Sequence, residues 1–276
     1  RLVGVEPAES PLLTQGHAGK HGIQGIGANF VPDILDRGLL DEVMDVKTQD
    51  AIAAMRELAA VEGVHWVRAL YCYPERIDDE LLRVMKENPK VCPYLDIPLQ
   101  HINDKVLREM HRRTDGKAIR DLYGRIRKLG GFALRTTLIA GFPGETEEEF
   151  AELLEFIKTC PFDRLGAFAY SEEEGTPAAA REDQVPLRVR RSREGKIMRE
   201  QKKISRAFNE SRVGSECEVL VEGQEENGLY YGRSQWEAPE TDGKVYIKLA
   251  DGLEPGQFVR VRITDAQDYD VTGVPV

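Results

Sequence analysis

Cysteine is scarce in this chain, and the few present stand far apart. The 276 residues hold four, at positions 72, 92, 160 and 217. No two form a C-x-x-C pair, so neither a zinc site nor an iron–sulfur site has its usual local spacing. Cys72 and Cys92 lie in apolar runs and read as buried thiols of a reducing compartment. Long apolar runs are also missing. No stretch of 18 apolar residues exists, which excludes a membrane-spanning helix. The opening RLVGVEPAES has no apolar h-region and no initiator Met, so it reads as a fragment or processed chain rather than a leader. Histidine offers one candidate metal pair, His17 and His21, four residues apart. The glycines between and after them argue against a helix that would aim both at one ion, and no metal site is expected there.

What is abundant is charge. Charged residues make up 31% of the chain and the net charge is −10. It is unevenly spread: residues 212–276 set six Lys and Arg against thirteen Asp and Glu, and so carry seven of the ten net negative charges. Such a segment repels phosphate backbones and attracts basic partners; an acidic surface also serves plain solubility. The opposite sign gathers at 187–211, where nine Lys and Arg lie between 188 and 206. With Val189, Ile197, Ile204 and Phe208 as its apolar positions, this segment reads as a basic helix docked on its neighbours. Contact with nucleic acid is the other reading.

Residues 1–50 show no sustained period, and TQGHAGKHGIQGIGANF, with five glycines, reads as loop. From residue 51 strands and helices alternate. Helices are expected at 51–61, 77–88, 104–110, 116–129 and 147–159, and strands at 66–72, 91–97, 132–139 and 165–170. Alternation of this kind means βαβ units and a parallel sheet. Four strands are too few to close an eight-stranded barrel, so an α/β partial parallel (β/α) barrel is expected. After Gly214 the texture changes to short alternating strands with Gly, Asn and Asp turns, the pattern of a small all-β barrel. The expected divisions are 1–50, 51–186, 187–211 as a connecting helix, and 212–276.

LRTTLIAGFPGETEEEF (134–150) is the most informative stretch. An apolar strand runs into Gly141-Phe142-Pro143-Gly144, and an acidic helix start follows. Carboxylates in a first turn suit the helix dipole, and the C-terminal edge of a parallel strand is where small ligands bind. An ordinary βα loop has the same pattern. Taken with YLDIPLQHINDKVLREMHRR (94–113) and FAYSEEEGTPAA (168–179), however, it resembles the radical S-adenosylmethionine methylthiotransferases. The C-terminal segment, including GRSQWEAPETDGKVYI (232–247), resembles their TRAM domain, an OB-like barrel. The resemblance runs from about residue 51 to 276. It implies a radical SAM type of partial barrel, S-adenosylmethionine and two 4Fe-4S clusters as cofactors, and a cytoplasmic, monomeric transferase. Two branches compete. The LDIPLQH, LRTT and YSEEEGT wording is similar to the branch that methylthiolates an aspartate β-carbon on a small-subunit ribosomal protein, and the acidic β segment suits that basic partner better than tRNA. The tRNA-modifying branch and a non-catalytic module that binds a ribosomal protein are the alternatives.

Carried over by resemblance, Gln100 is placed to hydrogen-bond the cofactor ribose, with a loop-capping amide as the alternative. Arg112 is placed near the cofactor carboxylate, where a guanidinium gives two parallel hydrogen bonds; a helix-end ion pair is the other reading. Thr137 is a polar contact to the cofactor, and Gly141 and Gly144 let the backbone approach it. Glu145 is a helix N-terminal carboxylate, and Tyr170 lines the substrate mouth or packs. Glu222, Glu225, Glu226, Glu237 and Asp242 are the expected partner-binding acids. The resemblance fails at one point: the family's Cys-x-x-x-Cys-x-x-Cys loop is not in this sequence, and residues 1–50 match neither that loop nor the family's N-terminal domain. No catalytic residue and no metal ligand is therefore assigned, and the chain is expected to be inactive alone.

Overall fold

A computed structural model describes residues 3–7, 10–17, 42–46 and 51–276. The chain forms two compact units, Arg1–Tyr73 with Asp78–Cys92, and Pro74–Ile77 with Pro93–Val276. The first contains β1 (Val3–Pro7), α1 (Leu12–Gln15), β2 (Glu42–Val46), α2 (Ala51–Ala60) and α3 (Asp79–Glu87). Within the segment 1–50, β1 and β2 pair in parallel, Val3 opposite Glu42; most of 14–30, the run expected to be loop, lies outside the described residues. His17 is exposed, and His21 lies outside the described residues. The expected strand at 66–72 is a single parallel bridge, Val67 to Val91. Tyr71 takes a left-handed φ of 57° and ends the extended run.

The second unit opens with β3 (Tyr94–Asp96), α4 (Asp104–Glu109), α5 (Gly116–Leu129), β4 (Ala133–Ala140), α6 (Glu147–Thr159) and β5 (Arg164–Ala169). The three strands form a parallel sheet in chain order. Helix boundaries follow local chemistry: Asp115 caps α5 by accepting from the Ala118 N–H, and Thr146 with Glu149 forms a capping box on α6. Glu147, Glu148 and Glu149 fill the first turn of α6, at the positive end of its dipole, as the sequence predicts. Along β4, Thr136, Leu138 and Ala140 are buried and Arg135, Thr137 and Ile139 half-buried, so one face of the sheet packs and the other is less covered.

Helix α7 (Leu187–Ser211) leads to β6 (Glu216–Gln224), β7 (Tyr230–Arg233), β8 (Val245–Ile247), β9 (Phe258–Ala266) and β10 (Val271–Pro275). These five close into a barrel in the order β10-β8-β7-β6-β9. All neighbours are antiparallel except β8 and β10, whose parallel pairing closes the ring. Val219, Val221, Val245, Ile247, Val261, Ile263 and Val271 fill its interior at strand period two. The architecture is the α/β partial barrel plus small β barrel expected from the sequence.

The barrel is tied to the sheet by a buried charge cluster. Glu237 is 1% exposed and accepts from Arg212 at the end of α7, and from Arg164 at the start of β5 at 2.9 Å. Its second oxygen accepts from the Ser234 N–H at 3.0 Å and hydroxyl at 2.6 Å. Burial alone would push this carboxyl up, but the two guanidinium groups and these hydrogen bonds overcome it and hold the pKa at about 2. Its folded-state value is thus depressed from 4.5. The stability it gives is present above pH 4.5 and lost as pH falls toward 2. In denaturant unfolding, Glu237→Gln is expected to cost on the order of 3 kcal/mol at neutral pH. The gap to wild type should close between pH 4.5 and 2; a gap that stays constant there would show the carboxylate is not the partner described.

Candidate cofactor edge

The loops at the C-terminal ends of β3, β4 and β5 converge. Gln100 follows β3 with a φ of 71°. Its N–H donates to the Thr137 carbonyl (2.9 Å) and its carbonyl accepts from the Ile139 N–H (2.8 Å), so two bonds to β4 hold the strained backbone. Its side-chain Oε1 is buried with no hydrogen-bond partner. That acceptor is the feature a ribose hydroxyl would satisfy. Arg112 donates to the Pro98 carbonyl at 2.6 Å, which ties the loop before Gln100. Thr137 faces the same side as Arg135, whose guanidinium lies 3.3 Å from its hydroxyl. Gln100 and Thr137 are thus joined through the backbone at one strand edge, and Arg112 reaches the loop between β3 and Gln100.

Gly141 and Gly144 have φ of 75° each, a conformation suited to glycine. Their surroundings differ from the expectation of backbone open to a cofactor. A Cβ on Gly141 would stand 2.6 Å from Arg190 Cγ, and one on Gly144 2.5 Å from Asp183 Oδ2. The room these glycines leave is taken by the chain's own 181–190 segment.

Glu145 stands at the N-terminal end of α6. It precedes the cap of α6, is 4% exposed, and accepts from the Gly141 N–H (2.8 Å) and from Arg193 (2.8 Å). His101 is fully buried 3.6 Å away. Its Nδ1 accepts from the Asn103 N–H (3.0 Å), and its Nε2 faces Glu145. Arg193 also pairs with Glu147 (2.6 Å), and Arg190 reaches Glu172 (2.6 Å) and the Tyr170 carbonyl (3.1 Å). Tyr170 packs edge-on against Phe142, ring centroids 5.3 Å apart. None of these arginines was picked out from the sequence. The signal was a spacing of three and four through 190, 193, 197, 201, 205 and 209, all buried, hidden because only Ile197 of that stripe is apolar. Of the apolar positions expected to dock, Val189, Ile204 and Phe208 are half-buried.

Two expected partner acids are withdrawn. Glu237 is inside the charge cluster described above. Asp242, its side chain 3% exposed, accepts from the Tyr94 hydroxyl (2.6 Å) and the Ala238 N–H (2.8 Å) and lies 3.6 Å from Arg135. Burial raises both the Asp242 carboxyl and the Tyr94 phenol. Glu222 pairs with Arg233, and Glu225 with Lys244 (2.8 Å), at the barrel surface; Glu226 is exposed beside them.

The sequence matches the Radical SAM superfamily over residues 45–157 and the TRAM domain over 213–276. The chain therefore joins a radical SAM α/β unit to a TRAM barrel. It is similar to the ribosomal protein uS12 methylthiotransferases RimO of Desulfitobacterium hafniense (52% identity over 223 residues; 79% of this chain, 49% of that protein) and Desulforudis audaxviator (50% over 229; 82% and 51%). With this similarity running through both domains, the chain belongs to the radical SAM methylthiotransferase family, in its RimO branch. It spans about half the length of the curated relatives it matches. Among solved structures it is similar to coproporphyrinogen III oxidase (HemN) of Escherichia coli, at 20% identity and a TM-score of 0.43, covering 61% of this chain and 40% of that one.

The Arg193–Glu145 pair is buried on both sides, and a buried carboxylate stripped of its partner is costly. Arg193→Met is expected to lower stability by roughly 3–5 kcal/mol. Arg83→Met, which breaks the exposed Arg83–Glu87 pair, should cost less than about 1 kcal/mol. Parallel denaturant unfolding of the two variants checks the contrast.

Proposed function

We propose that this chain supplies the cofactor edge and the partner-docking barrel of an aspartate methylthiotransferase that acts on ribosomal protein uS12 in the cytoplasm. The observation that carries it is the buried, partnerless Oε1 of Gln100 at the strand edge of a chain whose relatives are RimO through both domains. In this reading residues 51–186 act as the cofactor barrel, 187–211 as the connecting helix and 212–276 as the docking domain. S-adenosylmethionine, when bound, supplies the radical chemistry of the family. Gln100 would accept from its ribose, with Thr137 beside it and Arg112 shaping the loop. Arg193, through Glu145, fixes the Gly141–Gly144 turn. The iron–sulfur clusters do not fit these residues, since the four cysteines supply no three-thiolate loop, and no step is assigned to them. Glu222, Glu225 and Glu226 present the acidic face to a basic protein. The tRNA branch would need a basic barrel, against which the thirteen acids of 212–276 argue.

Two measurements test this reading. Isothermal titration with S-adenosylhomocysteine should show weak binding that Gln100→Leu abolishes; unchanged binding in the variant would remove Gln100 from the cofactor. Separately, uS12 should bind with an affinity that falls as salt rises. Replacing Glu222, Glu225 and Glu226 together by Gln should slow its association by roughly tenfold. Tight tRNA binding at physiological salt would instead assign the chain to the other branch.

A further inference from the structure

At the opposite ends of the strands from Gln100 lies a second site. A cavity of about 330 Å³ opens between the start of β4 and β5, the middle of α7 and the Thr241–Gly243 loop of the TRAM barrel. Gln201 and Ser205, one turn apart on α7, are 0% and 1% exposed and line it. The Gln201 Nε2 donates to the Phe162 carbonyl at 3.0 Å, which fixes the amide so that Oε1 is its free end. That Oε1, the Ser205 hydroxyl and the Arg164 Nε are all buried without a hydrogen-bond partner. Leaving three such groups unmet is costly, and the cavity is many times the space one water needs. It is within the size range of small-molecule sites.

The walls restrict what fits. Arg135 is held by Asp96 (2.8 Å) and Asp242 (3.6 Å), and Arg164 by Glu237, so neither guanidinium is left to neutralise an anion. The free groups are one acceptor (Gln201), one donor (Arg164) and one hydroxyl that serves as either (Ser205). Leu165 and Met198 add apolar surface, and Thr241, Asp242 and Tyr269 complete the lining, with the Asp242 carboxylate already taken up by Tyr94 and the Ala238 N–H. Gly166 keeps the strand surface flat, with Arg135 Nη2 3.9 Å from where its Cβ would stand. A guanidinium stacks on planar rings. We propose that this cavity binds an uncharged planar heterocycle with an amino group, of the purine nucleoside class. Its amino group would donate to Gln201 Oε1 and a ring nitrogen would accept from Ser205 or Arg164.

Adenosine is the probe, titrated against the full chain by calorimetry and saturation-transfer NMR. Saturable binding is expected. Ser205→Ala removes only a hydroxyl that has no partner, so it should leave the fold intact and weaken binding by roughly three- to tenfold. Gly166→Val adds bulk to the floor at a strand position with room for a Cβ, and should abolish binding at this cavity with the thermal transition retained. Gln100→Leu should remove only adenosine held by its ribose at the candidate cofactor edge, and leave intact the binding that Gly166→Val abolishes. Three results would overturn the proposal. Absence of saturable binding to wild type would leave a cavity filled by water. Competition by inorganic phosphate would make it an anion site. Binding that survives Gly166→Val but is lost in Gln100→Leu would place adenosine at the other strand ends.

Discussion

Helix α7 carries the constraint on which the arrangement of the second unit depends. Its buried stripe is made of Arg190, Arg193, Ile197, Gln201, Ser205 and Asn209, five polar groups out of six. Burying a guanidinium is favourable only where carboxylates and carbonyls receive its donors. The stripe therefore dictates its own surroundings: Glu145, Glu147 and Glu172 near its start, the Phe162 carbonyl at its middle, Glu237 near its end through Arg164 and Arg212. An apolar stripe would pack against any apolar face. This one fits only where those acceptors stand, so it fixes register and orientation together.

The consequence is a line of coupled charges from the strand edge at Gln100 to the barrel. At one end, Arg193 holds Glu145, which holds the Gly141 N–H and so the turn after β4. At the other, Arg164 and Arg212 share Glu237, and Arg135 stands between Asp96 and Asp242. The Tyr94 hydroxyl completes that second group by donating to Asp242. Each group is closed on itself and close to neutral, which is why charges can sit at a few per cent exposure. Specificity of docking, more than raw stability, is what such clusters contribute relative to an apolar seam.

The architecture was legible because periodicity carries it. The spans 116–129 and 147–159 read from the sequence are the helices found, and the Gly and Asn turns after 214 do mark a closed barrel. Misreadings fall where the period is silent. Val3–Pro7 and Glu42–Val46 are five-residue strands 34 residues apart, whose pairing no local pattern encodes. The run 66–72 has strand composition, but the left-handed Tyr71 stops it. For the site, Gln100 stands at the expected strand edge. The sign of a side chain did not reveal its burial: Glu237 and Asp242 look like surface acids in the sequence, and Arg190 and Arg193 look like members of a solvated basic face. A charged residue declares its inside position only through its partner, and those partners are 25 residues or more away in sequence for Arg212–Glu237, Arg193–Glu145 and Arg164–Glu237.

The four thiols set the division of labour. Cys217, the one in the barrel, is pushed up to about 11 by burial, so at neutral pH it is a protonated, inert packing group. Cys160 caps the C-terminal end of α6, and Cys92 is fully buried. A cluster needs three thiolates converging on one point; Cys217 is half-buried and packs against the apolar interior of the barrel. What this chain's own residues offer is hydrogen bonding and charge: one orphaned acceptor at the strand edge, a rigid turn beside it, and an acidic barrel face.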